Sequence, residues 1–289
     1  MSYHWGNTTA EIARSKGNLV LGIDPVITDI PRTFYENGAT PDEVVKAYLD
    51  LLLAAAKPKI GFIKFQSAFF EALGTAGIQA LAYGIGLART AGLAIILDAK
   101  RGDIGSTAQA YARAYLDPTS GSDLEVDCLT VNPFLGPDTL EPFLESAHAY
   151  GKGLFVLVKT SNPGSTWLQG LEVGGESVST RLARYVDSAG RASIGSSGLS
   201  NIGAVVGATY AAEGQALRLL MPSAVLLAPG VGAQGACATD LKPLHRPEGG
   251  GVLVPVSRGI TKAPDLSIGR DAYADLIIKR ISEFQEQLK

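Results

Sequence analysis

The strongest restriction on how this chain folds is a rhythm. Eight short apolar runs, five to seven residues each, alternate with longer stretches of helical spacing. The runs are Leu19–Asp24, Ile60–Phe65, Leu93–Asp98, Val126–Asn132, Gly153–Lys159, Ile202–Gly207, Ala224–Ala228 and Val252–Ser257. Their length and β-branched content suit strands buried on both faces, as in parallel sheets. The intervening stretches read as helices. Thr40 is placed as an N-cap, with Pro41 at the first helical position and Glu43 completing a capping box, and apolar spacing runs on through Ala56. Further helices are expected at Gly77–Thr90, Ser106–Leu116, Pro137–Tyr150, Glu176–Asp187, Ala211–Leu220 and Asp271–Gln287. Ala233–Asp240 has room for only a turn or two. This alternation predicts a (β/α)8 TIM barrel, with an open doubly wound sheet as the alternative.

The chain's 289 residues fit one such barrel domain over 1–289. Two connections exceed plain turns, at about 160–201 and 230–251, and are expected to form an insertion and a lid. Both follow the C-terminal end of a strand, the functional side of a barrel. With 46% hydrophobic and 18% charged residues, the chain is not a disordered one. A net charge of −3 argues against a broad nucleic-acid-binding surface. No apolar stretch approaches the roughly 20 residues of a membrane span, and the N-terminus lacks the pattern of a secretory signal. Two cysteines, Cys128 and Cys237, cannot build a disulfide framework. A cytoplasmic protein is the expectation.

Polar residues end or follow the apolar runs: Asp24, Lys64, Asp98, Asn132, Lys159 with Ser161, Thr209 and Arg258. One such residue means little, but the set converging on one rim suggests a site. The densest cluster is Leu97–Thr107, LDAKRGDIGST. Side chains alternate along a strand, so Asp98 and Lys100 point the same way. Lys64, within GFIKF, is costly to bury alone, and Asp98 is a candidate partner. A purely structural Lys–Asp pair is the alternative. The Gly230–Gly235 turn and Arg258 follow the seventh and eighth runs, where barrels often bind phosphate. Glycines admit backbone N–H groups to an anion, Arg258 offers a bidentate clamp and Gln234 an amide donor. Gly230–Gly235 also fits G-x-G-x-x-G, but it stands late in the chain without the acid that a dinucleotide site needs. His4, His148 and His245 end no run, and neither cysteine has a metal-ligand neighbour, so a metal site is not expected. Trp5 and Trp167 read as packing residues, though Trp167 stands in a loop and has the mouth within reach.

Asp98-x-Lys100-x-x-Asp103 at the end of a third strand resembles the signature of orotidine 5′-phosphate decarboxylases, and LDAKRGDIGSTAQAY resembles their longer-chain, mainly bacterial branch. The resemblance spans essentially the whole chain. Asp24, Lys64, Ser161 in KTSNPG, the PGVGAQG segment and Ser257-Arg258-Gly259 fall at the family's other positions in order. It implies decarboxylation of orotidine 5′-monophosphate to uridine 5′-monophosphate, the last step of de novo pyrimidine nucleotide synthesis, by a carboxy-lyase needing no cofactor and no metal. By resemblance, Lys100 stabilises and protonates the C6 carbanion, Asp98 lies near the substrate carboxylate, and Lys64 holds Asp98 and the ribose. Asp103 completes the charged array from the partner subunit of a homodimer, accompanied by Thr107. Asp24 binds a ribose hydroxyl and Ser161 reads the pyrimidine edge. Gly230, Val231, Gln234 and Arg258 hold the phosphate. The long 160–201 insertion and lid depart from the shorter branch. Lys159 is left between structural, dimer and catalytic roles. Rival readings are a metal-dependent phosphosugar decarboxylase or epimerase on the same barrel, a Schiff-base aldolase using Lys64 or Lys159, and a non-catalytic nucleotide-binding protein.

Overall fold

The computed structural model describes residues 3–35, 38–232 and 235–289. Eight parallel strands form a closed barrel: β1 (Leu19–Ile23), β2 (Phe62–Gln66), β3 (Ala94–Arg101), β4 (Cys128–Val131), β5 (Gly153–Lys159), β6 (Ile202–Val206), β7 (Leu226–Leu227) and β8 (Val252–Val256). Each strand pairs with the next, and β8 returns to β1 with Val254 opposite Leu19. That closure makes the fold a TIM barrel and removes the open-sheet alternative. Around it run α1 (Trp5–Lys16), α2 (Pro41–Ala56), α3 (Ser67–Glu71), α4 (Gly74–Thr90), α5 (Gly105–Leu116), α6 (Glu141–Tyr150), α7 (Val178–Gly190), α8 (Ala211–Leu220), α9 (Arg258–Thr261) and α10 (Arg270–Gln287). At the start of α2, the Thr40 N–H donates to the Glu43 carboxylate at 2.8 Å, as a capping box requires.

Strand alternation divides the apolar residues into two layers. Leu19, Leu21, Ile63, Ile95 and Leu97 face the helices. Val20, Phe62, Ala94, Ile96, Cys128, Phe155, Val225 and Leu253 fill the barrel interior. This phase positions the chemistry. Two residues beyond inward Phe62 comes Lys64, and two beyond inward Ile96 comes Asp98, so both point inward at the barrel's C-terminal rim.

Several elements differ from the sequence reading. Helix α1 was not anticipated, because its sequence, WGNTTAEIARSK, has too few apolar residues for a clear stripe. It carries Trp5, fully buried, with its ring edge-on to Phe62 and Phe155 at 6.4 and 6.0 Å. Helix α7 begins at Val178 rather than Glu176, because Glu172–Val173 and Glu176–Ser177 pair as a small hairpin. The turn expected at Ala233–Asp240 falls later, at Ala238–Leu244, and positions 233 and 234 lie outside the described residues. Trp167 is 81% exposed, so it is not a packing residue. Among the described residues, no helix is long and apolar enough to cross a membrane.

Candidate active site

At the C-terminal rim lies a cavity of about 440 Å³. Asp24, Lys64, Asp98, Lys100, Ser161, Gly230, Val231 and Arg258 all line it. Strands β2 and β3 and the segments that follow β1, β5, β7 and β8 thus contribute to one chamber. Asn132 and Thr209, just past β4 and β6, and Lys159, the last residue of β5, do not line the cavity.

The cavity's floor holds a continuous charged chain. Lys64 Nζ lies 3.2 Å from Asp98 Oδ2, and Lys100 Nζ lies 2.6 Å from Asp98 Oδ1. Lys64 is buried and Asp98 nearly so, whereas the Lys100 side chain is 44% exposed and has the cavity open to it. Burial by itself raises the Asp98 carboxyl, but the Lys64 and Lys100 ammoniums outweigh it and hold the group at about 2. Asp98 is therefore a fixed negative charge between two cations at neutral pH.

Two residues that sequence reasoning missed complete this frame. Gln66 lies opposite Asp98 in the β2–β3 ladder. Its Oε1 accepts from Lys64 Nζ at 3.0 Å, and its Nε2 donates to the Asp98 carbonyl at 3.1 Å. The i, i+2 spacing from Lys64 was the available signal. Thr130 of β4, fully buried, donates its hydroxyl to Asp98 Oδ1 at 3.0 Å and accepts the Lys100 N–H at 2.8 Å. It reads in sequence as one more β-branched strand residue and carried no signal of its own.

Lys100 has φ +49°, and among the described residues it is the one non-glycine residue with positive φ. A left-handed backbone costs a residue with a Cβ about 1–2 kcal/mol. The cause lies in the ladder. Leu97 pairs with Leu129 and Arg101 with Val131, so four residues of β3 run beside two of β4. This bulge re-aims the strand end, and Lys100 reaches Asp98 from within it.

The opposite wall comes from three loops. Ser161 packs so tightly on Gly207 that a Cβ there would lie 2.8 Å from the Ser161 Cα. Gly230 has φ +121°, a conformation open to glycine, and the loop it begins brings Val231 to the wall. Gln234 lies outside the described residues. Asp24 Oδ1 is buried without a hydrogen-bond partner among the described residues, leaving it an acceptor for a ligand hydroxyl.

Asp103 and Thr107 are not in this cavity. Asp103 instead accepts the Ile104 N–H at 2.8 Å, and Thr107 is exposed on α5. Lys159 is 1% exposed, with its Nζ 3.0 Å from Glu213 and 4.8 Å above the Tyr210 ring. It turns away from the cavity, which removes it as a Schiff-base nucleophile there. His4, His148 and His245 are likewise absent from the wall, with His148 exposed on α6. Among the described residues, no three His, Cys, Asp or Glu side chains gather as metal ligands would.

Comparison with known proteins agrees with this geometry. The profile of the orotidine 5′-phosphate decarboxylase / HUMPS family matches residues 17–268. The chain is 46% identical over 231 residues to orotidine 5′-phosphate decarboxylase of Deinococcus radiodurans, covering 80% of this chain and 82% of that one. It is 39% identical over 292 residues to orotidine 5′-phosphate decarboxylase of Rhodopirellula baltica, covering 97% of each. A solved chain from Streptomyces avermitilis aligns with a TM-score of 0.80 at 33% identity, covering 100% of this chain and 97% of that one. The Leishmania donovani OMP decarboxylase aligns with a TM-score of 0.75 at 30% identity, covering 99% of both. By profile, sequence and fold, this chain belongs to the orotidine 5′-phosphate decarboxylase / HUMPS family.

Proposed function

We propose that this chain is a carboxy-lyase that converts orotidine 5′-monophosphate to uridine 5′-monophosphate and CO2. The observation that carries this reading is the Lys64–Asp98–Lys100 chain, at 3.2 and 2.6 Å, on the floor of a cavity with Arg258 in its wall. The C6–carboxylate bond breaks heterolytically and its electron pair stays on C6. The Lys100 ammonium stabilises that pair and then delivers its proton to C6, and a proton from water restores the ammonium. Asp98 orients Lys100 and lies beside the departing carboxylate. Fixed charges in a partly dry site need no reorganisation during the reaction, the largest source of acceleration such a site offers. Lys64 holds Asp98 and the ribose, Asp24 takes a ribose hydroxyl, and Ser161 reads the pyrimidine edge. Gly230, Val231, Gln234 and Arg258 bind the phosphate. Remote phosphate binding helps drive closure of the 230–251 lid, with 160–201 as an insertion on the same barrel domain over 1–289.

The active form in this proposal is a cytoplasmic homodimer, with Asp103 and Thr107 entering the partner's cavity. Two features support it. Asp103 and Thr107 lie outside their own cavity. Ile104, Phe134 and Leu135, on the loops after β3 and β4, are 63%, 70% and 50% exposed, an apolar surface suited to a second copy. Two unpaired cysteines fit a reducing compartment. The direct test follows the absorbance of orotidine 5′-monophosphate with purified protein, with and without chelator. Turnover unchanged by chelator is expected. No turnover of orotidine 5′-monophosphate, with chelator-sensitive turnover of a phosphosugar acid instead, would favour the metal-dependent phosphosugar reading, and nucleotide binding without turnover a nucleotide-binding protein.

A further inference from the structure

We propose that Arg101 is a positioning residue whose side chain holds Lys100 in its left-handed conformation. The inference rests on the activity reading above for its kinetic arm only. A residue at φ +49° persists when its surroundings over-determine it. On one side, the Lys100 N–H is tied to Thr130 Oγ1 at 2.8 Å. On the other, Arg101 resumes the ladder, its carbonyl accepting the Asn132 N–H at 2.8 Å. The backbone of the bulge is thus pinned at both ends, and the Arg101 side chain decides whether the second pin holds.

That side chain joins two helices. Its guanidinium forms an ion pair with Glu71 of α3. It also lies over the Tyr111 and Tyr115 rings of α5, at 5.5 and 5.9 Å from their centroids, within cation–π range. Glu71 is itself held by the Ser67 hydroxyl at 2.6 Å, and Ser67 directly follows Gln66, the residue that bridges Lys64 and Asp98. One side chain therefore fastens the end of β3 to the helix after β2 and to the helix after β3. An isolated surface ion pair contributes little, but the Arg101 side chain is 22% exposed and packed. Released, the bulge can relax to negative φ, which swings Lys100 Nζ away from Asp98. A lysine supplies the charge but not the planar face, so it replaces Arg101 only in part.

The test compares wild type with Arg101→Met, Arg101→Lys and Glu71→Gln. Arg101→Met should lower kcat about 30- to 100-fold with KM within about threefold, since misplacing a reacting group by about an ångström costs on that order. Arg101→Lys should fall between it and wild type, and Glu71→Gln should lose several-fold in kcat. In the unliganded proteins, hydrogen exchange at the Lys100 amide should quicken while the amides of β1 and β8 stay unchanged. A kcat within threefold of wild type, a loss carried by KM, or exchange that is unchanged or uniformly faster would overturn the proposal. Should Arg101→Met fail to fold, Glu71→Gln carries the same comparison. If wild type itself does not turn over orotidine 5′-monophosphate, the activity reading falls, and exchange at Lys100 still decides the clasp.

Discussion

Lys100 stands under three constraints at once: a left-handed backbone, a 2.6 Å contact to Asp98, and an amide fixed by Thr130. In the proposed mechanism, removing its ammonium takes away both the stabilising cation and the proton donor. Lys100→Ala should therefore lower kcat by more than about 10³-fold, with an unchanged circular dichroism spectrum, because the side chain is 44% exposed. Thr130→Val keeps the shape of a fully buried side chain but strips one partner each from Asp98 and the Lys100 amide. Urea unfolding should show a loss of about 1–3 kcal/mol, together with a fall in kcat. Asp98 predicts the acid behaviour. Its folded value, about 2, lies below the ordinary 3.8, so its stabilisation is complete above pH about 4 and disappears as pH falls through 2. The difference corresponds to about 2 kcal/mol. Between pH 5 and 2, wild type should lose about that much more unfolding free energy than Asp98→Asn, measured by denaturant titration at each pH. An equal acid dependence in the two proteins would contradict the fixed-carboxylate picture.

Among the elements, α1 has a separate task from the rim. Trp5 packs inside the barrel's N-terminal end against Phe62 and Phe155, while the charged cavity opens at the C-terminal end. Trp5→Ala should cost about 3–5 kcal/mol of stability and leave kcat close to wild type at a temperature where the variant is folded. A large kcat loss in the folded variant would mean that the two ends are coupled. Element types were legible where apolar runs were dense. Every one of the eight runs holds strand residues, those of β1 and β4 to β8 enclosing the whole strand while β2 and β3 run on to Gln66 and Arg101, and the helix at Pro41–Ala56 matches to the residue. Helix α1 was not legible, because one tryptophan does most of its burying. The hairpin before α7 was also missed, since Glu172–Val173 and Glu176–Ser177 are two-residue strands with no period to detect.

For the whole molecule, the proposed shared site makes a quantitative statement. A Lys100→Ala protein and an Asp103→Ala protein should each be inactive. Mixed and allowed to exchange subunits, they should regain about a quarter of wild-type activity, because half the dimers are mixed and each mixed dimer has one intact site. No recovery after verified exchange would remove Asp103 from a site between chains.

The barrel and the cast of its rim are written in the order of residues along the chain. Alternating apolar runs admit few other folds, and side chains with period two put Lys64 and Asp98 on the inner face. Its D-x-K-x-x-D pattern also named the family. Which strand-end residues meet is settled only when the strands pack together. Lys159 looked equivalent to Lys64 in sequence, yet it turns outward to Glu213, while Gln66 and Thr130 come from different strands to hold Asp98. Such contacts depend on ladder register and on the bulge between Leu97 and Arg101, and both are set by packing between segments far apart in the chain.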